Sequence, residues 1–177
     1  TPIRKMIPAL AGGNTIVAKA ASDTPWSSVI LFELFDKAGF PPGVVNLVIG
    51  RGSEIGDALC SNPLVRGISF TGSTLVGEGI SQHCAKNFVK LQLEMGGKNP
   101  AIVAEYKNLD LAGKELASNA YALAGQRCTA ISRVIVLEKE ADELISAISK
   151  YMKQYTLGDG TDHKVNIGPI INRKAGQ

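Results

Sequence analysis

The sequence is poor in residues that could cross-link a fold or chelate a metal: it has three cysteines and two histidines among 177 residues. Cys60, Cys84 and Cys128 are far apart in the sequence, and no CxxC pair occurs. An odd number of separated cysteines argues against a disulfide framework, and so few histidines argue against a zinc site. We therefore expect no metal centre and a reducing compartment, the cytoplasm.

Long apolar runs and blocks of like charge are absent as well. No uninterrupted apolar stretch reaches the roughly 18 residues that a membrane-spanning helix needs, and no cleavable signal is recognisable at the N-terminus. The 19 basic and 16 acidic residues give a net charge of +3 and are scattered along the chain. We therefore expect neither a membrane nor a nucleic acid as partner. Hydrophobic residues make up 45% of the sequence, which is typical of a globular protein with a core.

The hydrophobic pattern alternates between short β-branched runs and longer helical segments. Such strand–helix–strand repeats predict βαβ units and a parallel sheet, hence an α/β fold. In the first part the predicted strands are 14–20, 44–49, 65–70 and 89–94, and the helices between them are 22–40, 53–62 and 73–87. Turn-rich residues 96–100 then precede a second α/β unit, with strands at 101–104 and 132–137 and helices at 110–126 and 141–154. We therefore divide the chain into domains at 1–96 and 97–177.

A glycine-containing turn joins the third predicted strand to its helix. Gly72, Ser73 and Thr74 form this junction, and Gly77 follows one turn into the helix. Backbone N–H groups at a helix N-terminus attract anions, and a small residue lets a pyrophosphate approach closely. Because the pattern is not GxGxxG, a plain βα turn with a capping serine is the alternative.

A lysine and a serine follow the first predicted strand. Lys19 ends that strand, and Ser22 is predicted to be the N-cap of the next helix. Since ligands bind at the carboxyl ends of parallel strands, the two side chains could hold a ribose or a phosphate. The alternative for Lys19 is an ordinary surface lysine.

Glu94 has the chemistry of a general base. It ends an alternating strand and precedes Met95, Gly96 and Gly97. A carboxylate beside two glycines can turn into a cleft, where partial burial would raise its pKa towards that of a base. The alternative is an exposed glutamate at the end of a strand.

Cys128 is the candidate nucleophile. It lies between Arg127 and Thr129, in surroundings poor for a core, and a neighbouring positive charge favours the reactive thiolate. An inert core cysteine is the alternative, and that interpretation suits Cys60 and Cys84, which fall within predicted helices.

Four segments together resemble the aldehyde dehydrogenase superfamily. They are Lys19, FTGS at 70–73, LEMGGKNP at 93–100 and GQRCTA at 125–130, in the order and rough spacing of that family. Cys128 follows Glu94 by 34 positions, as it does there. The resemblance covers essentially the whole chain. It implies the later part of a Rossmann-like sheet that binds NAD or NADP, followed by the first part of a second, catalytic α/β domain.

The resemblance also implies a role for individual residues. Cys128 would attack the aldehyde to give a thiohemiacetal, hydride transfer to the nicotinamide would leave a thioester, and Glu94 would activate the water that hydrolyses it. The backbone N–H of Cys128 would belong to the oxyanion hole. The cofactor contacts implied are the pyrophosphate for Gly72 and Ser73, the nicotinamide for Met95 and Gly96, and the adenosine ribose for Lys19.

Two details of the sequence refine what the resemblance implies about the cofactor and the substrate. NAD-preferring members often carry a glutamate three residues after the lysine, where its charge would repel a 2′-phosphate. Ser22 is neutral, so we expect NADP to be tolerated or preferred. The segments KNP at 98–100 and GQRCTAISR at 125–133 are most similar to members that act on semialdehydes of dicarboxylic acids.

Family chains are more than twice this long. Their oxyanion-hole asparagine and the glutamate that holds the nicotinamide ribose would lie outside residues 1–177. We therefore expect an internal piece of a longer chain that forms a homo-oligomer and takes a small aldehyde as substrate. A catalytically silent piece with weak nucleotide binding and a cysteine-based esterase are the alternatives.

Overall fold

The computed structural model describes residues 2–176, which fall into two compact units, Thr1–Met95 and Gly96–Gln177. Helices and strands alternate in both units. The first unit contains α1 (Pro2–Ala11), β1 (Ile16–Lys19), α2 (Trp26–Lys37), β2 (Val45–Val48), α3 (Gly52–Ser61), β3 (Gly67–Gly72), α4 (Thr74–Asn87) and β4 (Lys90–Met95). The second contains β5 (Asn99–Val103), α5 (Leu109–Tyr121), a 3₁₀ turn (Ala122–Gly125), β6 (Ile131–Val136), α6 (Glu138–Met152) and a second 3₁₀ turn (Arg173–Gly176).

Every strand pairs in parallel with the strand on the other side of one helix. β1 pairs with β2 across α2, β3 with β4 across α4, and β5 with β6 across α5. The predicted parallel α/β fold is therefore confirmed. The strands described at 2–176 form three sheets of two strands each, rather than one continuous sheet through β1–β4. The hydrogen-bonded strands of the first unit are those that flank α2 and those that flank α4. The helix between them, α3, therefore connects the β1–β2 pair to the β3–β4 pair.

The start of α2 and the end of α5 differ most from their predicted positions. α2 begins at Trp26 with Pro25 as its N-cap, whereas Ser22 lies in a bend after β1, so the prediction of Ser22 as N-cap is wrong. The cause is Pro25, which disfavours helical geometry in the residue before it and is itself well suited to a helix start. α5 ends at Tyr121, because Leu123 and Ala124 have left-handed backbones with φ of 55°.

The core of the second unit lies between the β5–β6 pair and the two helices of that unit. Val103, Leu109, Leu116 and Leu144 form it, and Leu144 is only 1% exposed. α5 and α6 approach closely at Gly113, where a Cβ would lie 2.5 Å from the Cβ of Ala147. This packing fixes α5, the helix that leads into the segment carrying Cys128.

Leu144→Ala is expected to lower the free energy of unfolding of the second unit by about 2–5 kcal/mol, because it removes buried methyl groups and leaves a cavity. Urea denaturation followed by circular dichroism measures the change. Ile145→Ala is the matched control, since this neighbour on α6 is 59% exposed. Equal losses in the two variants would contradict the assignment of Leu144 to the core.

Candidate active site

Cys128 lies in a tight turn between the first 3₁₀ turn and β6. The N–H of Ala130 donates to the carbonyl oxygen of Arg127 at 3.1 Å, with Cys128 and Thr129 between them. Cys128 is exposed and its thiol is free, whereas Ala130 is buried. The structure therefore places Cys128 at the surface of the second unit, where a thiol can meet a substrate, and not in the core.

Polar side chains bind the backbone on both sides of this turn, which we call the cysteine turn (Arg127–Ala130). Asn99 Nδ2 donates to the carbonyl oxygens of Cys128 at 2.7 Å and of Ala130 at 3.1 Å. On the other side, Gln126 Oε1 accepts from the N–H of Ile171 at 2.7 Å, and Gln126 Nε2 donates to Leu123 O at 3.0 Å. Neither amide is predictable from the sequence, because an amide that binds a backbone leaves no pattern in a single sequence.

Arg127 is partly enclosed. One of its terminal nitrogens, Nη2, donates to the carbonyl oxygen of Asn119 at 3.2 Å, and Nε is buried with no partner among the described residues. The guanidinium thus bonds to the C-terminal part of α5. This contact fixes the chain at Arg127, the residue immediately before Cys128.

The other two cysteines have the surroundings of inert residues. Cys84 on α4 is buried, and burial raises the pKa of its thiol. Cys60 on α3 is half-buried, and its pKa is raised by burial first and then by the nearby Cys84 and Asp57. A raised pKa reduces the thiolate fraction at neutral pH, so both thiols are poor nucleophiles.

The ends of β3 and β4 bring several candidate residues to one edge of a sheet. Parallel pairing sets Thr71 opposite Glu94 and Gly72 opposite Met95. Glu94 is exposed and Met95 is half-buried, while Gly96 follows the strand and is exposed. The carboxylate is therefore open to solvent, and the burial expected to make it a stronger base is not found in the structure.

Lys5 is a charged neighbour of Glu94 that the sequence analysis missed. Its Nζ donates to Ser69 Oγ at 2.9 Å and to the carbonyl oxygen of Phe70 at 2.8 Å, which ties α1 to β3. Burial lowers the pKa of the Lys5 ammonium, and the negative charge of Glu94 opposes that effect. The only sequence signal was a lysine within a short amphipathic segment, which is too common to identify a site.

The glycine-containing turn caps α4 as expected. Ser73 is the N-cap, and its Oγ accepts from the N–H of Val76 at 3.4 Å. Gly72 and Ser73 are exposed, so their backbone is accessible to an anion. Gly77 is buried one turn into α4, and a Cβ there would lie 2.6 Å from Met95 Sδ, so its small size lets α4 pack on β4.

Lys19 bridges the ends of β1 and β2. Its Nζ donates to the carbonyl oxygen of Ala20 at 2.6 Å and lies 3.5 Å from that of Gly50. Ser22 follows three residues later and is exposed. A positive charge and a hydroxyl thus lie beyond the carboxyl end of β1, where a ligand of a parallel sheet would bind.

The candidate residues are divided between the two units. Lys19, Ser22, Gly72, Ser73, Glu94 and Met95 belong to the first, and Gly96 and Cys128 to the second. Within residues 2–176, no three His, Cys, Asp or Glu side chains are grouped so as to hold a metal ion. The same part of the chain contains no helix long and apolar enough to cross a membrane.

The chain is similar to known proteins in both sequence and structure. A profile described as the aldehyde dehydrogenase family matches residues 1–177. The succinate-semialdehyde dehydrogenase [NADP(+)] of Escherichia coli strain K12 is 42% identical over 172 residues, which are 97% of this chain and 36% of the relative. Human retinaldehyde dehydrogenase 3 is 43% identical over 171 residues, covering 96% of this chain and 33% of the relative.

Solved structures agree with the sequence comparison. A crystal structure of an E. coli NADP-dependent enzyme superposes with a TM-score of 0.94 at 43% identity, covering 97% of this chain and 36% of that one. Betaine aldehyde dehydrogenase from Staphylococcus aureus, in complex with NAD+, superposes with a TM-score of 0.91 at 37% identity, covering 96% and 34%. The chain thus spans about a third of the length of these relatives. Since the family profile matches throughout, the chain belongs to the aldehyde dehydrogenase family.

Proposed function

We propose that this chain supplies the nucleophile, the base and part of the cofactor site for the NAD(P)-dependent oxidation of an aldehyde to a carboxylate. One observation carries the proposal. In a chain that belongs to this family throughout, Cys128 is the exposed thiol, held in a turn between α5 and β6, while Cys60 is half-buried on α3 and Cys84 is buried on α4. A nucleophile must be accessible and held in place, and Cys128 meets both requirements.

The proposed chemistry begins at Cys128. The thiolate sulfur forms a bond to the carbonyl carbon of the aldehyde, and the carbonyl electron pair moves onto oxygen, where the backbone N–H of Cys128 can donate to it. When bound, NAD(P)+ supplies a hydride acceptor, so loss of hydride from this adduct leaves a thioester on Cys128. Glu94 then takes a proton from water, whose oxygen attacks the thioester carbonyl. The resulting adduct collapses with cleavage of the C–S bond, which releases the carboxylate and returns Cys128 as the thiolate, while the proton held by Glu94 and that of the new acid pass to solvent.

The first unit provides groups that suit a dinucleotide. The exposed turn at Gly72 and Ser73 opens α4, a helix of 14 residues whose N-terminal N–H groups favour a pyrophosphate. Lys19, at the carboxyl edge of the β1–β2 pair, has the charge and reach to donate to a ribose hydroxyl. Met95 and Gly96, beside Glu94, are the proposed contacts of the nicotinamide.

A semialdehyde of a dicarboxylic acid is the proposed substrate class. The segments KNP at 98–100 and GQRCTAISR at 125–133 support it, as does the likeness to the E. coli enzyme named for succinate semialdehyde. The cytoplasmic location and the homo-oligomer predicted from the sequence stay predictions.

One assay separates this function from its two alternatives. The protein is incubated with an aldehyde and, separately, with an activated ester, each with and without NAD(P)+. In the full-length protein that contains this chain, we expect NAD(P)H to form from the aldehyde. Ester cleavage that needs no cofactor, without NAD(P)H formation, would instead identify a cysteine esterase. No reaction in any arm would identify a catalytically silent chain, and either result would overturn the proposal.

Ser22→Glu is expected to weaken NADP+ binding by about 10- to 100-fold and to change NAD+ binding much less, because a carboxylate repels the 2′-phosphate. Ser22→Gln is the matched control, as it has similar size and no charge. Fluorescence titration with each reduced cofactor measures the two dissociation constants. A clear preference of the unmodified protein for NAD would contradict the interpretation of Ser22.

A further inference from the structure

The amide of Asn99 is the point where the cysteine turn is attached to the β5–β6 sheet. One side-chain nitrogen donates to two carbonyl oxygens, that of Cys128 at 2.7 Å and that of Ala130 at 3.1 Å. These carbonyls flank Thr129, so the two bonds span the second half of the turn. Asn99 is separated from Cys128 by 29 positions in the sequence, and the contact therefore depends on the fold of the unit.

The position of Asn99 is itself fixed by an irregularity of the sheet. Asn99 is opposite Ile131, but Pro100 is opposite Arg133, so β6 contains one extra residue, Ser132, at this point. The Oγ of Ser132 donates to the carbonyl oxygen of Asn99 at 3.2 Å. Register shifts of this kind bend a strand and change the direction of nearby side chains, and they are frequent beside active sites. The extra residue and the Ser132 hydrogen bond thus hold Asn99 at the point where the cysteine turn ends and β6 begins.

We propose that Asn99 is a positioning residue for the nucleophile: by binding the Cys128 carbonyl, it fixes the peptide plane that follows Cys128 and thereby restricts where the thiol can lie. The residues before the turn, Leu123, Ala124 and Gly125, all have positive φ angles, a backbone conformation that residues other than glycine keep only where surrounding contacts hold it. The role of Asn99 in catalysis rests on the proposed function. The hydrogen bonds from Asn99 to the cysteine turn do not depend on that function.

The chain contains a matched control for this residue. Asn46, in the first unit, also donates from Nδ2 to two backbone carbonyls, those of Ile16 at 3.0 Å and Gly43 at 2.8 Å. Asn46 and Asn99 are both half-buried. A purely structural effect of losing two amide bonds should therefore be similar at both positions, whereas an effect on Cys128 should be specific to Asn99.

The first test introduces a carboxylate of the same shape, in Asn99→Asp and Asn46→Asp. The rate of Cys128 alkylation by iodoacetamide is followed by mass spectrometry from about pH 6 to pH 10. In Asn99→Asp we expect the midpoint of the pH profile to rise by about one unit and the rate near neutral pH to fall roughly tenfold, since a carboxylate facing the Cys128 carbonyl oxygen adds a negative charge near this residue and cannot donate the bond that holds its peptide plane. Asn46→Asp should leave the profile unchanged. An unshifted profile in Asn99→Asp, or equal shifts in both, would overturn the proposal.

The second test measures the order of the turn itself. The Arg127–Cys128 bond is a trypsin site, and cleavage in the native protein requires the turn to open locally. Asn99→Ala should speed cleavage at this bond roughly tenfold, because two hydrogen bonds are lost. Asn46→Ala should not speed it. If both variants cleave there at the rate of the unmodified protein, Asn99 does not hold the turn.

Aldehyde oxidation provides a third readout. Asn99→Ala should lower kcat and leave cofactor dissociation constants unchanged, whereas Asn46→Ala should leave kcat as it is. Alkylation and proteolysis need no turnover, so a failure of the proposed function does not obscure them. If the thiol of Cys128 in the unmodified protein reacts no faster than Cys60, the nucleophile assignment fails. If Cys128 is reactive and insensitive to Asn99, the positioning role alone fails.

Discussion

Cys128→Ala is expected to abolish aldehyde oxidation, with NAD(P)H formation at least about a thousandfold slower than in the unmodified protein. The reason is that no covalent thiohemiacetal can form, and hydride transfer has no other activated donor. Binding of NADP+ should stay within about twofold, since all the proposed cofactor contacts except Gly96 belong to the first unit, and none of them is Cys128 itself. Absorbance at 340 nm and a fluorescence titration measure the two quantities.

The matched control is Cys60→Ala, at a half-buried thiol of α3 whose pKa is raised by its surroundings. This variant should keep its oxidation rate. Oxidation retained in Cys128→Ala would refute the assignment of the nucleophile. Loss of oxidation in both variants would show that removing either cysteine has the same effect. The result would then give no support to a specific chemical role of Cys128.

Glu94→Gln is expected to stop the reaction after its first half. Cys128 can still attack the aldehyde and lose the hydride, so about one NAD(P)H should form per chain in a rapid burst. Steady-state turnover should then be slower by about 10²–10⁴-fold, because water attacks the thioester without a general base. Rapid-quench mass spectrometry should find the acyl group on Cys128.

Glu138→Gln is the control for this second variant, since Glu138 is an exposed carboxylate in the first turn of α6. It should turn over normally. Loss of the burst itself in Glu94→Gln would contradict the proposed division of labour, because it would place Glu94 in the attack or hydride step. Unchanged steady-state turnover would exclude Glu94 as the base.

The regular elements were predictable from sequence because the chain alternates cleanly between β-branched runs and helical spacing. The strand 89–94 and the helix 73–87, for example, differ from β4 and α4 by a single residue at each differing end. The start of α2 was not predicted correctly, since Pro25 overrides the capping preference of Ser22. The end of α5 was missed for another reason: left-handed backbones at Leu123 and Ala124 have no signature in these side chains.

Residues with reactive side chains could be proposed from the sequence, whereas the side chains that contact them could not. Cys128 and Glu94 are predictions that rest on their chemistry and on the resemblance to the aldehyde dehydrogenases. Lys5, on whose pKa the charge of Glu94 acts, and Asn99, which binds the Cys128 backbone, are 89 and 29 positions away from those partners in the sequence. Contacts of this kind arise only when the chain folds, and an ordinary lysine or asparagine gives no reason to expect them.

The bond from Gln126 to Ile171 has a consequence for how the protein can be shortened or rebuilt. The segment after α6 contains no further α-helix among the described residues, so it looks dispensable. Yet the N–H of Ile171 donates to Gln126 Oε1, two positions before Cys128, and Gln126 Nε2 lies 3.5 Å from the carbonyl oxygen of Pro169. A design that ends the chain at α6, or that grafts a new loop there, would therefore remove a support of the segment that carries Cys128. A design that keeps the side-chain contacts on both sides of the cysteine turn must include the chain from Asn99 through Ile171.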